Sequence, residues 1–117
     1  MKKNIIKEKS FSFAIRIVKF SQYLINDKRE FVLSKQVLRS GTSVGALVRE
    51  SENAESKADF IHKLSIAQKE INETIYWLEL LYNTDYVSQT QFDSIIVDAI
   101  ELKKIITSII KTSKNII

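Results

Sequence analysis

The sequence predicts an all-α fold, an antiparallel up-down-up-down four-helix bundle, and three observations lead there. The chain has no proline and only two glycines, well below average usage of roughly 5% and 7%. A sheet protein would need turn residues that are missing here. Apolar residues recur at helical spacing over long stretches, broken by three short polar segments. Breaks of a few residues join consecutive helices as antiparallel neighbours. With 117 residues, 44% of them apolar, the chain has the length of one domain, 1–117, and material for a core.

The first helix is expected near residues 10–27. Phe11, Ala14, Val18, Ser21, Leu24 and Ile25 stand near helical spacing, and Phe13, Ile15, Ile17 and Phe20 add apolar surface off that stripe. A helix apolar on more than one face is buried on more than one face, and in so short a chain the second neighbour is read as another subunit. Asn26 to Glu30 forms the polar break.

The second helix is expected near residues 33–54. Val37, Gly41, Val44 and Val48 form its face, with Leu38, Gly45 and Leu47 beside it. Two glycines inside a helix cost about 1 kcal/mol each relative to alanine, so they require a reason. Four residues apart, Gly41 and Gly45 stack on one side and let another helix approach closely. The competing reading is a helix break at 40–43. The apolar period runs through both glycines, which favours close packing.

The third helix, near residues 57–83, starts at a capping box of Ser56 and Asp59. Phe60, Leu64, Ala67, Ile71, Thr74, Ile75 and Leu78 hold its stripe, and Leu81 or Tyr82 continues it. The fourth, near residues 88–112, starts at a second capping box, Ser88 to Gln91, with Val87 and Phe92 at the spacing of a hydrophobic staple. Phe92, Ile95, Ile96, Ala99, Leu102, Ile106, Ile109 and Ile110 face its core.

Charge supplies the main functional signal. Lys and Arg outnumber Asp and Glu by 18 to 14, a net +4, which permits an anionic partner without demanding one. In an antiparallel bundle the two chain ends lie beside the turn between the second and third helices. There Lys2, Lys3, Lys7 and Lys9 converge with Lys103, Lys104, Lys111 and Lys114, a candidate nucleic-acid-binding set. Their plainer explanation is a solvated helix end, where cations complement the dipole. Glu50, Glu52, Glu55 and Asp59 lie on the inner pair.

Residues 33–46 (LSKQVLRSGTSVGA) and 59–81 (DFIHKLSIAQKEINETIYWLELL) resemble a known family. It comprises the bacterial four-helix-bundle proteins encoded within intervening sequences of 23S ribosomal RNA genes. The Gln-x-x-Arg-Ser-Gly-x-Ser-Val-Gly run and the Ala-Gln-Lys-Glu run with its following Tyr-Trp-Leu carry the likeness, which extends over nearly the whole chain. The family commonly has Asn just after the second glycine and an acidic residue three positions later. This chain reads Leu47 and Glu50 there. The resemblance implies a bundle that assembles into a ring, typically a pentamer. A related bundle, the accessory variability determinant of diversity-generating retroelements, binds nucleic acid and partners a reverse transcriptase.

No constellation specifies a reaction, so neither a catalytic residue nor a cofactor is expected. His62 is the only histidine and there is no cysteine. Asp59-x-x-His62 is only a faint echo of the Glu-x-x-His half-site of di-iron bundles, which need His from two helices, and no metal site is expected. Glu70 and Glu73 are one turn apart, a spacing open to acid–base work, yet no nucleophile is tied to them and a structural role fits better. Arg39 to Gly45 has the glycines and hydroxyls of a phosphate loop but lacks its Gly-Lys-Ser/Thr ending. Tyr76, Trp77, Tyr82 and Tyr86 suit base stacking or an interface, and the neighbouring apolar stripe favours the interface.

The expected subunit interface comprises Phe13, Ile17, Phe20, Gly41, Gly45, Leu47 and Trp77. The expected partners are further copies of the chain, with RNA or DNA or a protein partner also in prospect. Residues 1–11 contain no apolar run of signal-peptide length before Glu8 and Lys9, and no window approaches a membrane span. With no cysteine, a cytoplasmic location follows as an expectation.

Overall fold

Each helix of this bundle begins where a polar side chain takes up backbone N–H groups that a first turn leaves free. The computed structural model describes residues 4–115. They form α1 (Ile5–Asn26), α2 (Leu33–Glu52), α3 (Lys57–Asn83) and α4 (Gln89–Asn115), and no strand occurs among them.

Helix α1 starts five residues before its expected position. The Asn4 side chain accepts from the Lys7 backbone N–H at 3.2 Å and creates the start there. Residue 32 gives α2 no side-chain cap. Glu30, inside the polar break, does so instead, accepting from the N–H groups of Leu33 (3.0 Å) and Ser34 (2.8 Å). Ser56 caps α3 through the Asp59 N–H at 3.0 Å. At α4 the box is reciprocal: Ser88 accepts from the Gln91 N–H at 3.1 Å, and the Gln91 side chain accepts from the Ser88 N–H at 2.8 Å. Helix α4 also continues past 112, to Asn115.

The helices close a cycle in which each packs on two neighbours, α1 on α2, α2 on α3, α3 on α4 and α4 on α1, while the Cα atoms of diagonal pairs stay more than 8 Å apart. The core holds Phe13, Ile17 and Leu24 of α1, Val37, Val44 and Val48 of α2, Leu64, Ile71 and Leu78 of α3, and Ile95, Leu102 and Ile106 of α4. Small polar side chains among them are partnered: Thr74 donates to Ser40 across α2–α3 at 2.8 Å, and Ser21 donates to the Ser34 carbonyl across α1–α2 at 3.2 Å. No buried side-chain polar atom among the described residues lacks a partner, so burial of these groups costs little.

The glycines do what close packing requires. Helix α2 runs unbroken through both. A Cβ on Gly41 would stand 2.8 Å from Cγ1 of Ile17, and one on Gly45 would stand 3.2 Å from the Ser10 carbonyl oxygen. The helix that approaches is α1 of the same chain. This corrects the expected subunit interface at four positions, because Phe13, Ile17, Gly41 and Gly45 are buried in the chain's own core. Phe20, Leu47 and Trp77 are half-buried and pack against that core. The outward apolar surface of α1 includes instead Ile5 in the first turn and then Phe11, Ile15 and Val18, respectively 50%, 45% and 39% exposed, with the Arg49 guanidinium 4.9 Å from the Phe11 ring centre.

The carboxylate pair of α3 is a clamp to α2. Arg39 donates to Glu70 at 3.0 Å and to Glu73 as well, and Trp77 Nε1 donates to Glu73 at 3.2 Å. The hydrogen bond from Arg39 holds the Glu73 carboxyl below its ordinary range, and the same bond raises Arg39. A carboxylate lowered by folding stabilises fully above its unfolded pKa and loses that contribution as pH falls through the lowered one. Arg39→Ala is therefore expected to lose less than about 1 kcal/mol at neutral pH, since the pair is solvent-screened. Thermal melts across pH check this: the gap from wild type closes as pH falls below the carboxylate range.

Candidate nucleic-acid interface

Helix α4 sorts its charges by face. Ile95, Ala99, Leu102, Ile106 and Ile110 turn inward. Toward α1 lie two of the helix's three carboxylates, Asp98 and Glu101, and both are paired. Arg16 donates to Asp98 at 2.7 Å, to the Ser94 carbonyl at 2.9 Å and to the Ser94 hydroxyl, while Lys9 donates to Glu101 at 2.9 Å. Toward α3 lie lysines.

Between α3 and α4 runs an open groove of about 840 Å³, lined by Ile75 of α3 and by Ile100, Lys103, Lys104, Thr107, Ser108, Lys111 and Thr112 of α4. No carboxylate lines it. Gln68 on α3 donates to Thr107 at 2.7 Å and ties the two helices there. Among the described residues, Lys103, Lys104 and Lys111 make no ion pair. Their charges thus stand uncompensated beside an apolar strip, the condition in which a cation attracts an anionic ligand most strongly.

The eight lysines expected to converge divide into three groups. Lys103, Lys104 and Lys111 line the groove, and Lys114 is exposed in the last turn of α4. Lys7 and Lys9 lie apart from it and are compensated, Lys7 by Glu52 at 3.5 Å and Lys9 by Glu101. Lys2 and Lys3 lie outside the described residues.

Of the aromatic cluster, Tyr76 is the exposed member, at 56%. It meets Trp77 edge-on, ring centres 5.1 Å apart, whereas Tyr82 stacks on Phe92 at 4.7 Å as part of the packing. His62 is exposed on α3. Among the described residues no three His, Cys, Asp or Glu side chains are grouped to hold a metal ion, and no helix is long and apolar enough to cross a membrane.

Comparison with known proteins gives a family and a structural relative. The family model described as 23S rRNA-intervening sequence protein matches residues 2–108. A crystal structure of a protein of unknown function from the S23 ribosomal protein family of Bacteroides thetaiotaomicron VPI-5482 is 57% identical. The likeness covers 95% of this chain and 99% of that one, with a TM-score of 0.92. No curated protein matches the chain.

Proposed function

The chain belongs to the 23S rRNA-intervening sequence protein family, and from that premise we propose that it is a non-catalytic, cytoplasmic bundle protein that binds nucleic acid through basic surface without reading sequence. One observation carries the reading: the groove lined by three lysines and no carboxylate. Lysines contact phosphates, which position a ligand and carry no sequence information. The protein acts as a homo-oligomer, a pentamer by the family resemblance, so that copies of the groove engage one nucleic acid together. The exposed Phe11, Ile15 and Val18 of α1 support an interface between copies, being an apolar patch of the kind that contacts bury.

That same α1 patch favours a second reading, an assembly or adaptor protein that docks a protein partner such as a reverse transcriptase and never touches nucleic acid. Gel-shift titration of the purified protein with RNA and duplex DNA at low and high salt separates the two. The binding reading expects a shift at low salt that fades steeply as salt rises. No shift at low salt would leave the adaptor reading. Light scattering on the same sample tests assembly, and a mass of 13.5 kDa, that of one chain, at micromolar concentration would remove the oligomer.

A further inference from the structure

We propose that the α3–α4 groove takes a single nucleic-acid strand in preference to a duplex, with bases against Ile75 and Ile100 and phosphates on Lys103, Lys104 and Lys111. The proposal rests on the nucleic-acid reading above and narrows its ligand.

The argument comes from what lies between the lysines. A site for duplex backbone alone needs only cations and hydroxyls, because a duplex turns its phosphates outward and keeps its base faces stacked inside. This groove has an apolar side as well. Ile100 is 40% exposed and Ile75 lines the groove opposite it on α3. The apolar surface continues along α4, where Val97, 63% exposed, shares a shallow depression with Ile100, Glu101, Lys104 and Ile105. Tyr76, exposed, is the residue next to Ile75. A duplex bound at the lysines would leave these side chains against water or phosphate. An unstacked strand offers flat apolar base faces together with phosphates, which is the pairing of surfaces found here.

Spacing agrees. Lys104 and Lys111 are seven residues apart, two turns along one face, or about 10 Å, with the Ser108 hydroxyl between them as a further donor to the backbone. Three lysines and no acid line the groove itself, and the one carboxylate of the adjoining depression, Glu101, is paired with Lys9, a balance that favours a polyanion. The rival occupant, an acidic amphipathic helix, needs apolar anchors at successive turns; the groove gives it two isoleucines, and beyond them Val97 shares its depression with Glu101, which repels an acidic helix.

Fluorescence anisotropy at low salt tests the proposal with three labelled probes: a single strand, the duplex of the same sequence, and a single strand with abasic sites. The single strand is expected to bind about tenfold or more tightly than the duplex, and the abasic strand to lose that advantage. Ile100→Ser, at a solvent-facing position, is expected to weaken the single strand about fivefold and leave the duplex unchanged. Lys103→Gln with Lys104→Gln weakens both probes. Circular dichroism confirms that each variant is folded. Duplex binding equal to or tighter than single-strand binding, or an Ile100→Ser effect equal on both, overturns the single-strand assignment while the nucleic-acid reading stands. Binding of a Glu-rich amphipathic peptide with no retention of any nucleic-acid probe overturns both.

Discussion

Gly41→Ala is expected to lower the thermal midpoint of this bundle by about 5 °C, although alanine is the better helix former. Two terms compete. Replacing a mid-helix glycine stabilises by about 1 kcal/mol. Against that, the new methyl would stand 2.8 Å and 2.9 Å from the two γ carbons of Ile17. Ile17 is fully buried, and its γ carbons branch directly from Cβ, so they cannot swing aside as the end of a long side chain would. Forcing a methyl into such packing costs about 1–3 kcal/mol, which wins over the propensity gain unless the helices part easily. The double variant Gly41→Ala with Ile17→Ala separates the causes. Ile17→Ala alone costs about 2–5 kcal/mol. If the clash is real, the double variant is less destabilised than the sum of the two singles, a coupling that denaturation of all four proteins measures. Simple additivity would show that α1 and α2 do not meet at this point.

Replacing Lys103, Lys104, Lys111 and Lys114 together by Gln is expected to abolish most nucleic-acid affinity and leave the helical content unchanged. None of the four is in the core, so the fold does not depend on them. Each phosphate neutralised on a duplex contributes about 0.9 to the slope of log K against log salt. At 0.1 M salt relative to 1 M, four contacts therefore amount to roughly three to four decades of binding as an upper limit. Oligomerisation multiplies the effect, because every copy loses the same four charges. A variant that binds within about threefold of wild type at low salt would mean that the phosphates lie elsewhere, given the size of this term.

How much of this was legible in the residues depends on how local each cause is. The boundaries of α2 and α3 are local, set by a stripe and by Ser56, and they stand within two residues of expectation. The start of α1 depends on Asn4, one residue ahead of any apolar stripe, and escaped notice for that reason. The face of α1 is not local. Phe11, Ala14 and Val18 make one helical stripe, and Phe13, Ile17 and Leu24 make another. What selects the second is the slot that Gly41 and Gly45 open on α2, a fact about two helices together. That same slot removed four residues from the expected subunit interface: the glycines announced a close helix approach, but not from which chain.

The lysines divide the same way. That the start of α1 lies beside the end of α2 was readable from an antiparallel topology. The neutralisation of Lys9 by Glu101, 92 residues away, was not. The sorting of α4 was partly within reach, since Asp98 and Glu101 are three residues apart on one side while Lys104 and Lys111 share another. Reading each charge sign around the helix, rather than counting lysines along it, would have separated the groove from the seam with α1.

A charge-matched comparison tests the central claim most directly. Lys103→Gln with Lys104→Gln and Lys7→Gln with Lys9→Gln each remove two positive charges from the same net +4. They differ only in whether the charges line the groove or are paired with Glu52 and Glu101. The slope of log K against log salt, measured for both variants and wild type on one duplex, is expected to fall by about 1.8 for the groove pair. For the N-terminal pair it is expected to stay near the wild-type value. Equal flattening by the two variants would mean that binding follows net charge alone, and the groove would have no claim to be the site.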